Sequence, residues 1–381
     1  MTQDTPTVAV AMSGGVDSSL AAALLKQQGF KVIGLTMKIY GGELDGMPSR
    51  GHACYGPGEE EDIAITATVA AHLGVPLQVI DLHEEYREHV LRHFTHEYLA
   101  GRTPNPCTRC NPLLKFGFLI EKARASGIAF DCFATGHYVR VCHDEHYGRY
   151  VLKKARDAKK DQSYFLYALP PSLLELLMFP LGDMTKDEVR DRAGALILPV
   201  SRRPESQDFI EGGAYGDLFD SAGISPGPIL NSNGLRLGTH RGIVHYTIGQ
   251  RRGIGIAHPE PLYVTGIDAK RNAIVVGPKS GLFASGLQAT GLHLLSTDAL
   301  RPGQTLQARI RHNHSPAEAT VTDCTDTSIT IRFEQPQLSV TPGQAAVFYD
   351  GDTVLGGAVI DSATRDAEHN AAPAAQEQNH A

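Results

Sequence analysis

Thr7-Val8-Ala9-Val10-Ala11-Met12-Ser13-Gly14-Gly15-Val16-Asp17-Ser18-Ser19-Leu20-Ala21-Ala22-Ala23-Leu24-Leu25 decides the fold. An apolar run of strand type stops at a serine and two glycines, and a helix opens near Asp17. Paired glycines let a backbone approach a ligand and adopt conformations that a Cβ forbids. Ser and Asp suit a helix cap, while free N–H groups and the helix dipole favour an anion. The pattern predicts a phosphate or pyrophosphate at this corner. A Walker loop needs a lysine after its second glycine, and none is present here. An ordinary strand–turn–helix corner is the alternative; the six-residue pattern Ser-Gly-Gly-x-Asp-Ser and its flanks weigh against it.

Working outward, strand-like and helical stretches alternate up to about residue 200. Lys31-Val32-Ile33-Gly34-Leu35-Thr36-Met37 and Leu77-Gln78-Val79-Ile80-Asp81-Leu82 read as strands. So does Ala129-Phe130-Asp131-Cys132-Phe133-Ala134-Thr135, which ends in Gly136-His137-Tyr138. Residues 62–73 and 84–99 read as helices. This alternation predicts an α/β domain, a doubly wound and mainly parallel sheet with ligands at the carboxyl ends of its strands. Ser13, Met37 and Gly136 all fall at such ends. Past residue 200 glycine and proline become dense, as in Pro226-Gly227-Pro228 and Gly253-Ile254-Gly255. Alternating segments such as Thr305-Leu306-Gln307-Ala308-Arg309-Ile310-Arg311 then suggest a small barrel. The expected division is a catalytic domain over 1–200, a small central domain over 201–280, a β-barrel over 281–361 and a disordered tail over 362–381.

The 381 residues, 42% hydrophobic and 20% charged, suit a soluble chain of two or three domains. No apolar run is long enough for a membrane span and the N-terminus shows no export signal, so a cytoplasmic location is expected. A net charge of −7 argues against nucleic acid only globally. Local basic runs remain at Lys153-Lys154-Ala155-Arg156 with Lys159-Lys160, at Arg202-Arg203 and at Arg251-Arg252.

Of six cysteines, two stand in Asn105-Pro106-Cys107-Thr108-Arg109-Cys110-Asn111, a proline-pinned loop entering a helix. A thiol at a helix N-terminus is expected to ionise more easily than a free one. A bare Cys-x-x-Cys is compatible with a redox pair, half a zinc site, cluster ligands or coincidence. With a loop upstream that resembles those of ATP-cleaving enzymes, sulfur transfer onto an adenylated substrate is the economical reading. Cys132 reads as a small core residue, and Cys142 and Cys324 as incidental.

The loop at Ser13–Ser18 resembles that of the PP-loop ATP pyrophosphatases, the adenine nucleotide alpha hydrolase-like enzymes that split ATP into AMP and pyrophosphate. Further blocks widen the resemblance. Gly101-Arg102-Thr103-Pro104-Asn105-Pro106-Cys107-Thr108-Arg109-Cys110-Asn111, Lys160-Asp161-Gln162-Ser163-Tyr164-Phe165-Leu166, Tyr246-Thr247-Ile248-Gly249-Gln250-Arg251-Arg252-Gly253 and Thr341-Pro342-Gly343-Gln344 are similar, in order, to the tRNA-specific 2-thiouridylase family. That resemblance implies a PP-loop domain, a central domain and a C-terminal barrel that clasp tRNA. It implies ATP and Mg²⁺, adenylation of the C2 carbonyl oxygen of the wobble uridine, and displacement of AMP by sulfur. By position, Ala11, Met12, Ser13, Gly14, Gly15, Val16, Asp17, Ser18, Met37 and Gly136 would hold ATP. Asn105, Pro106 and Cys107 would face the target base. Cys110 would be the nucleophilic or sulfur-handling cysteine, and Lys160, Asp161, Gln162, Arg332 and Phe333 would touch tRNA.

Two departures matter. Better-known members carry Asp at the position of Cys107, and a second catalytic cysteine in a Ser-x-x-Ile-Cys-Phe-type segment. Here that segment reads Glu205-Ser206-Gln207-Asp208-Phe209-Ile210-Glu211, without the cysteine. Cys-x-x-Cys members resemble cluster-dependent thiolases, which implies an iron–sulfur cluster on Cys107, Cys110 and a third ligand, for which Cys54 is proposed. Persulfide relay on Cys110 with a sulfur donor or relay protein, a PP-loop amidating ligase, and a tRNA-binding protein without catalysis are the alternatives. His137 stands open between a nucleotide contact and a structural role, and Asp17 between orienting Mg²⁺ and capping the helix.

Overall fold

The computed structural model describes residues 5–44, 53–204, 208–210, 218–219 and 224–365. Among the described residues nine strands precede the central region: β1 (Thr7–Ala11), β2 (Lys31–Lys38), β3 (Ala53–Tyr55), β4 (Leu77–Asp81), β5 (Cys132–Thr135), β6 (Val139–Asp144), β7 (Arg149–Lys154), β8 (Leu177–Met178) and β9 (Asp208–Ile210). Five of them form a sheet ordered β4-β2-β1-β5-β8, parallel throughout. Val8, Ala9 and Val10 are fully buried, as a central parallel strand covered on both faces requires. The chain leaves β1 toward β2 on one side, and β5 lies on the other. The crevice over that reversal is where open α/β sheets bind ligands, and the loops after β1 and β5 meet there.

α1 (Val16–Gln27) follows the glycine loop. Its Leu and Ala content favours helix, and it stops at Gln28-Gly29, where Gly29 takes φ +92°. One face packs Ala22 and Leu25 on Val8, Val10 and Met12 of the sheet. The other packs Val16, Leu20 and Leu24 on Val189 and Ala193 of the helix Lys186–Ala195. α2 (Glu59–Leu73) begins with four acidic residues and ends at Gly74 in the left-handed conformation. The expected helix over 84–99 is continuous from His83 to Leu99, with a π-helical stretch at Arg87–Leu91.

The central region is a four-stranded sheet, β11-β10-β13-β12, built from β10 (Gly227–Asn231), β11 (Arg236–His240), β12 (Tyr263–Asp268) and β13 (Ala273–Gly277). The last six strands are β14 (Phe283–Leu294), β15 (Thr305–Arg309), β16 (Ala317–Cys324), β17 (Ser328–Leu338), β18 (Ala345–Asp350) and β19 (Thr353–Thr364). They run β14-β17-β16-β15-β18-β19, and β19 pairs back onto β14, closing a barrel that leaves no free edge. Two features differ from expectation. The β6–β7 hairpin joins this barrel through Thr353 opposite Lys153, so the first and last regions share a sheet. β19 also continues through Ser362, Ala363 and Thr364, paired with β14, so the strand takes residues assigned to the tail. Residues 366–381 of that tail lie outside the described residues.

Candidate nucleotide and sulfur site

The glycine loop leads straight into the uncapped start of α1. α1 has no side-chain cap, leaving its first N–H groups available to an anion. Gly14 takes φ +70°, and a Cβ there would lie 2.9 Å from Thr66 Oγ1 and 3.0 Å from the Asp62 carbonyl oxygen. Across the crevice, a Cβ on Gly136 would lie 2.6 Å from the Ser18 nitrogen. Only glycine permits either approach. Ser18 Oγ accepts from the Ser13 N–H at 3.2 Å, and Ser19 Oγ donates to the Gly15 carbonyl at 2.7 Å. Ala11 ends β1, Met12 packs beneath the loop, and Met37 lies near the end of β2. Ala11, Met12, Ser13, Gly14, Gly15, Val16, Ser18, Met37 and Gly136 therefore gather at the crevice, although Val16 turns its side chain into the core.

Asp17 is committed elsewhere. Its carboxylate accepts from Lys186 Nζ at 2.7 and 2.9 Å and from the Tyr138 hydroxyl at 2.8 Å. It neither caps α1 nor stands free for a cation. Arg203, expected as part of a surface patch, instead donates to the Gly14 carbonyl at 2.9 Å and pairs with Asp62. Sequence reading missed Lys186, Tyr138 and this use of Arg203, because each comes from far along the chain. His137 is enclosed between Phe116 and Phe179, with Nδ1 2.7 Å from Thr135 Oγ1. Burial holds its pKa well below the ordinary value, so it is neutral at pH 7.

The cysteine loop enters a helical run made of Cys107–Cys110, a π-helical Asn111–Phe118 and Leu119–Ala125. Asn105 Oδ1 accepts from the Cys107 N–H at 3.0 Å, and Asn111 Nδ2 donates to the Cys107 carbonyl at 3.0 Å. Cys54 on β3 is exposed, and Cys107 and Cys110 are half-buried. Yet burial pushes Cys107 up to about 12 and Cys110 up to about 11, and raises Cys54 as well. Cys54 and Cys110 both act on Cys107, and all three act on Tyr86, so the three thiols share one recess against that ring. This corrects the expectation of an easily ionised thiol: desolvation outweighs the helix terminus. Lys115 pulls the other way on all three. Five residues beyond Cys110 in a wide π-helical turn, it lies on the cysteines' side of the helix.

β3 and β9 pair in parallel, with Ala53 opposite Asp208 and Tyr55 opposite Ile210. Cys54 is consequently level with Phe209, beside the segment where the expected second cysteine is absent. Glu205, Ser206, Gln207 and Glu211 of that segment lie outside the described residues. Tyr55 stacks on Tyr86 at 5.1 Å and on Phe209 at 6.0 Å, an aromatic wall behind the thiols. Among the described residues, no three of His, Cys, Asp and Glu are gathered in a way that would hold a metal ion.

The expected RNA contacts are dispersed. Gln162 Oε1 accepts from the Tyr138 N–H at 2.9 Å, and Lys160 is half-buried. The Asp161 carboxylate is buried and accepts from Arg309 Nη1 at 2.7 Å, Ser163 Oγ at 2.9 Å and the Ala155 N–H at 3.1 Å. Arg332 is exposed on β17, while Phe333 points into the barrel core. Beside Asp161 opens a cleft of about 800 Å³ with Arg140, Lys154, Arg156, Lys159 and Arg309 in its walls, against Asp161 and Asp352. It is a basic surface on a chain of negative net charge. Among the described residues, no helix is long and apolar enough to cross a membrane.

Comparison with known proteins covers nearly the whole chain. The family described as tRNA methyl transferase HUP domain matches residues 6–211, tRNA methyl transferase PRC-barrel domain residues 218–278, and aminomethyltransferase beta-barrel domain residues 284–360. The tRNA-specific 2-thiouridylase MnmA of Endomicrobium trichonymphae is 44% identical over 358 residues, 93% of this chain and 98% of that protein. The enzyme of the same name from Syntrophotalea carbinolica is 45% identical over 361 residues, with the same two coverages, 93% and 98%. A solved 4-thiouridine synthetase–RNA complex with bound ATP is 14% identical, covers 53% of this chain and 44% of that one, and has a TM-score of 0.32, too remote to bear on the site. With the glycine cradle and the thiol recess in place, and identity of this level end to end, the chain belongs to the tRNA-specific 2-thiouridylase family.

Proposed function

We propose that this protein catalyses ATP-dependent 2-thiolation of the wobble uridine of tRNA. One observation carries the reading: Lys115, which acts on all three thiols, also acts on His137 at the end of β5, and Asp62, which acts on Cys54, lies against Gly14, so the thiols and the anion cradle are neighbours. The ATP site is read as Ala11 to Ser18 with Met37 and Gly136. The uridine C2 oxygen attacks the α-phosphorus and pyrophosphate leaves, turning a poor leaving group into AMP. Sulfur then forms its bond to C2 as the C2–O bond breaks, and AMP carries that oxygen away. The N–H groups of α1 and Gly14–Gly15 hold the phosphate charge, and Mg²⁺ carried by the triphosphate would supply neutralising charge to the pyrophosphate. Asp17, held by Lys186 and Tyr138, shapes the cradle and leaves the metal to the substrate's own phosphates. Asn105, Pro106 and Cys107 face a base splayed from its loop, where single-stranded RNA is readable. The tRNA itself lies against Lys160, Gln162 and Arg332, while Asp161 and Phe333, both buried, hold the surface that carries them. The barrel and central region complete its seat.

Two deliveries of sulfur remain. A relay through Cys110 needs a second thiol, and the level pairing of Cys54 with Phe209 supplies one where the usual cysteine is absent. A sulfur donor or relay protein would load it. An iron–sulfur cluster on Cys54, Cys107 and Cys110 suits three soft thiols in one recess. The described arrangement does not gather them as ligands, so no step is routed through a cluster. Iron and sulfide analysis of anaerobically purified protein separates the two, repeated for Cys54→Ala, Cys107→Ala and Cys110→Ala. Iron absent from active enzyme rejects the cluster, and iron retained by Cys54→Ala rejects that ligand. For the reaction itself, tRNA from a deletion strain is analysed by mass spectrometry. Loss of 2-thiouridine is expected, and an unchanged content would sink the thiolase reading.

A further inference from the structure

The loop that presents Cys107 bonds within itself beyond Asn105, the Thr108 Oγ1 and N–H donating to the Asn105 carbonyl at 2.7 and 3.3 Å, but its base is anchored from outside. Pro104 and Pro106 carry no N–H, and their fixed φ makes the five residues from Thr103 to Cys107 a stiff arm. The base of that arm is held by the barrel. The Thr103 N–H donates to the Pro342 carbonyl at 2.9 Å, and Gln344 Nε2 donates to the Thr103 carbonyl at 2.7 Å. One peptide unit on each side of Thr103 is thus clamped by a single turn. Gly343 makes the approach possible: it takes φ +90°, and a Cβ there would sit 2.8 Å from the Thr103 nitrogen. The turn is fastened to β19 in its own right, Gly343 N–H to the Ile360 carbonyl at 2.9 Å and Ile360 N–H to the Gln344 carbonyl at 2.8 Å. Arg102 adds bonds to the Ile360 carbonyl and to Asp361, each at 3.2 Å. From the same turn, Thr341 Oγ1 accepts from Arg311, whose guanidinium also donates to the Ile248 carbonyl at 3.0 Å. Catalytic loop, central region and barrel therefore meet at residues 341–344.

We propose that this barrel turn sets the placement of the cysteine loop, with Gln344 as a positioning residue for sulfur transfer and Gly343 as the close contact that makes the clamp rigid. The proposal deepens the thiolase reading and rests on it. The barrel acts on the chemistry through Thr103 in addition to any contact it makes with RNA. Losing the Gln344 bond frees one side of Thr103 and lets the stiff arm swing at its base. Misplacement of about 1 Å at a reacting group is enough to cost on the order of a hundredfold in rate.

The test uses the full chain with Gln344→Ala and, as a second variant, Gly343→Ala. Iodoacetamide labelling rates of each cysteine are read by mass spectrometry, beside single-turnover thiolation and tRNA binding. The expected result is a change of about threefold or more in labelling of Cys107 and Cys110 with Cys142 and Cys324 unchanged, a turnover loss of about tenfold or more, and tRNA Kd within about twofold of the wild type. Unchanged labelling at Cys107 and Cys110 in both variants overturns the proposal, as does unchanged turnover where the wild type is active. Weaker RNA binding with full turnover also overturns it, because Gln344 would then be reading RNA directly. Faster labelling at all four cysteines marks general loosening and counts against positioning. If the wild type forms no 2-thiouridine, the functional reading fails by itself, and the labelling arm still decides the clamp.

Discussion

Replacing Asp161 by Ala separates a residue that builds the structure from one that reads RNA. Its carboxylate is 4% exposed and accepts from Arg309 Nη1 at 2.7 Å, Ser163 Oγ at 2.9 Å, and the Ala155 and Ser163 N–H groups at 3.1 and 3.3 Å. Removing one partner of a buried pair leaves the other charge uncompensated, at a cost of about 3–5 kcal/mol. The adjoining cleft of about 800 Å³ admits water to the stranded Arg309, which places the expectation at the lower end, about 3 kcal/mol. For a cooperative unit of about 150–250 residues, that is a fall of about 6–12 °C in thermal midpoint. Scanning calorimetry reads the shift, and tRNA binding is measured well below the transition. Asp161→Ala combined with Arg309→Met should recover more than half of the loss, because the unpaired charge is gone. A midpoint within about 2 °C of the wild type, together with lost tRNA affinity, would refute the reasoning.

At the nucleotide site, Gly136→Ala forces a Cβ toward the Ser18 nitrogen, 2.6 Å away, and should abolish tRNA-dependent pyrophosphate release with tRNA binding retained; normal release would show that the crevice is not the ATP site. Lys186→Met leaves the Asp17 charge beside the phosphate cradle and should raise the KM for ATP about tenfold, with the KM for tRNA unchanged. With Cys107 at about 12 and Cys110 at about 11, roughly one Cys110 in a thousand is ionised at pH 8, so labelling of both should climb with pH past 9 without a plateau. Lys115→Met, removing the cation that favours the thiolates, should slow it further at fixed pH. Because these folded-state values lie above the unfolded one of about 8.5, their contribution to stability is whole below that pH and is lost as pH rises through 11 to 12. A labelling plateau near pH 8.5 in the native protein would contradict the burial.

The loop at Ser13–Ser18 was legible because its signal is local: an apolar strand, two glycines and a helix start within a dozen residues. Gly136 was legible for the same reason, as the end of β5. What escaped the sequence depends on distance along the chain. Lys186 reaches Asp17 across 169 positions and Arg203 reaches Gly14 across 189, and no periodicity marks either. Asp161 sits in a polar, lysine-flanked stretch that reads as surface until Arg309 and Tyr349 close over it. Cys107 and Cys110 were found by spacing and by resemblance, but their ionisation was misjudged. A helix start is visible in sequence, whereas the aromatic wall of Tyr55, Tyr86 and Phe209 that surrounds the thiols is assembled from three separate segments. Sequence offers Cys54 only as a third ligand; its level position beside Phe209 requires the β3–β9 pairing.

The most direct test of the central claim follows a single oxygen atom. A tRNA carrying a heavy oxygen isotope at C2 of the wobble uridine is incubated with the purified protein, ATP, Mg²⁺ and a sulfide source, and the released AMP and the nucleosides are analysed by mass spectrometry. The account predicts 2-thiouridine and heavy AMP in equal amounts, since the C2 oxygen becomes the oxygen of the leaving phosphate. 2-Thiouridine formed with only light AMP would contradict it.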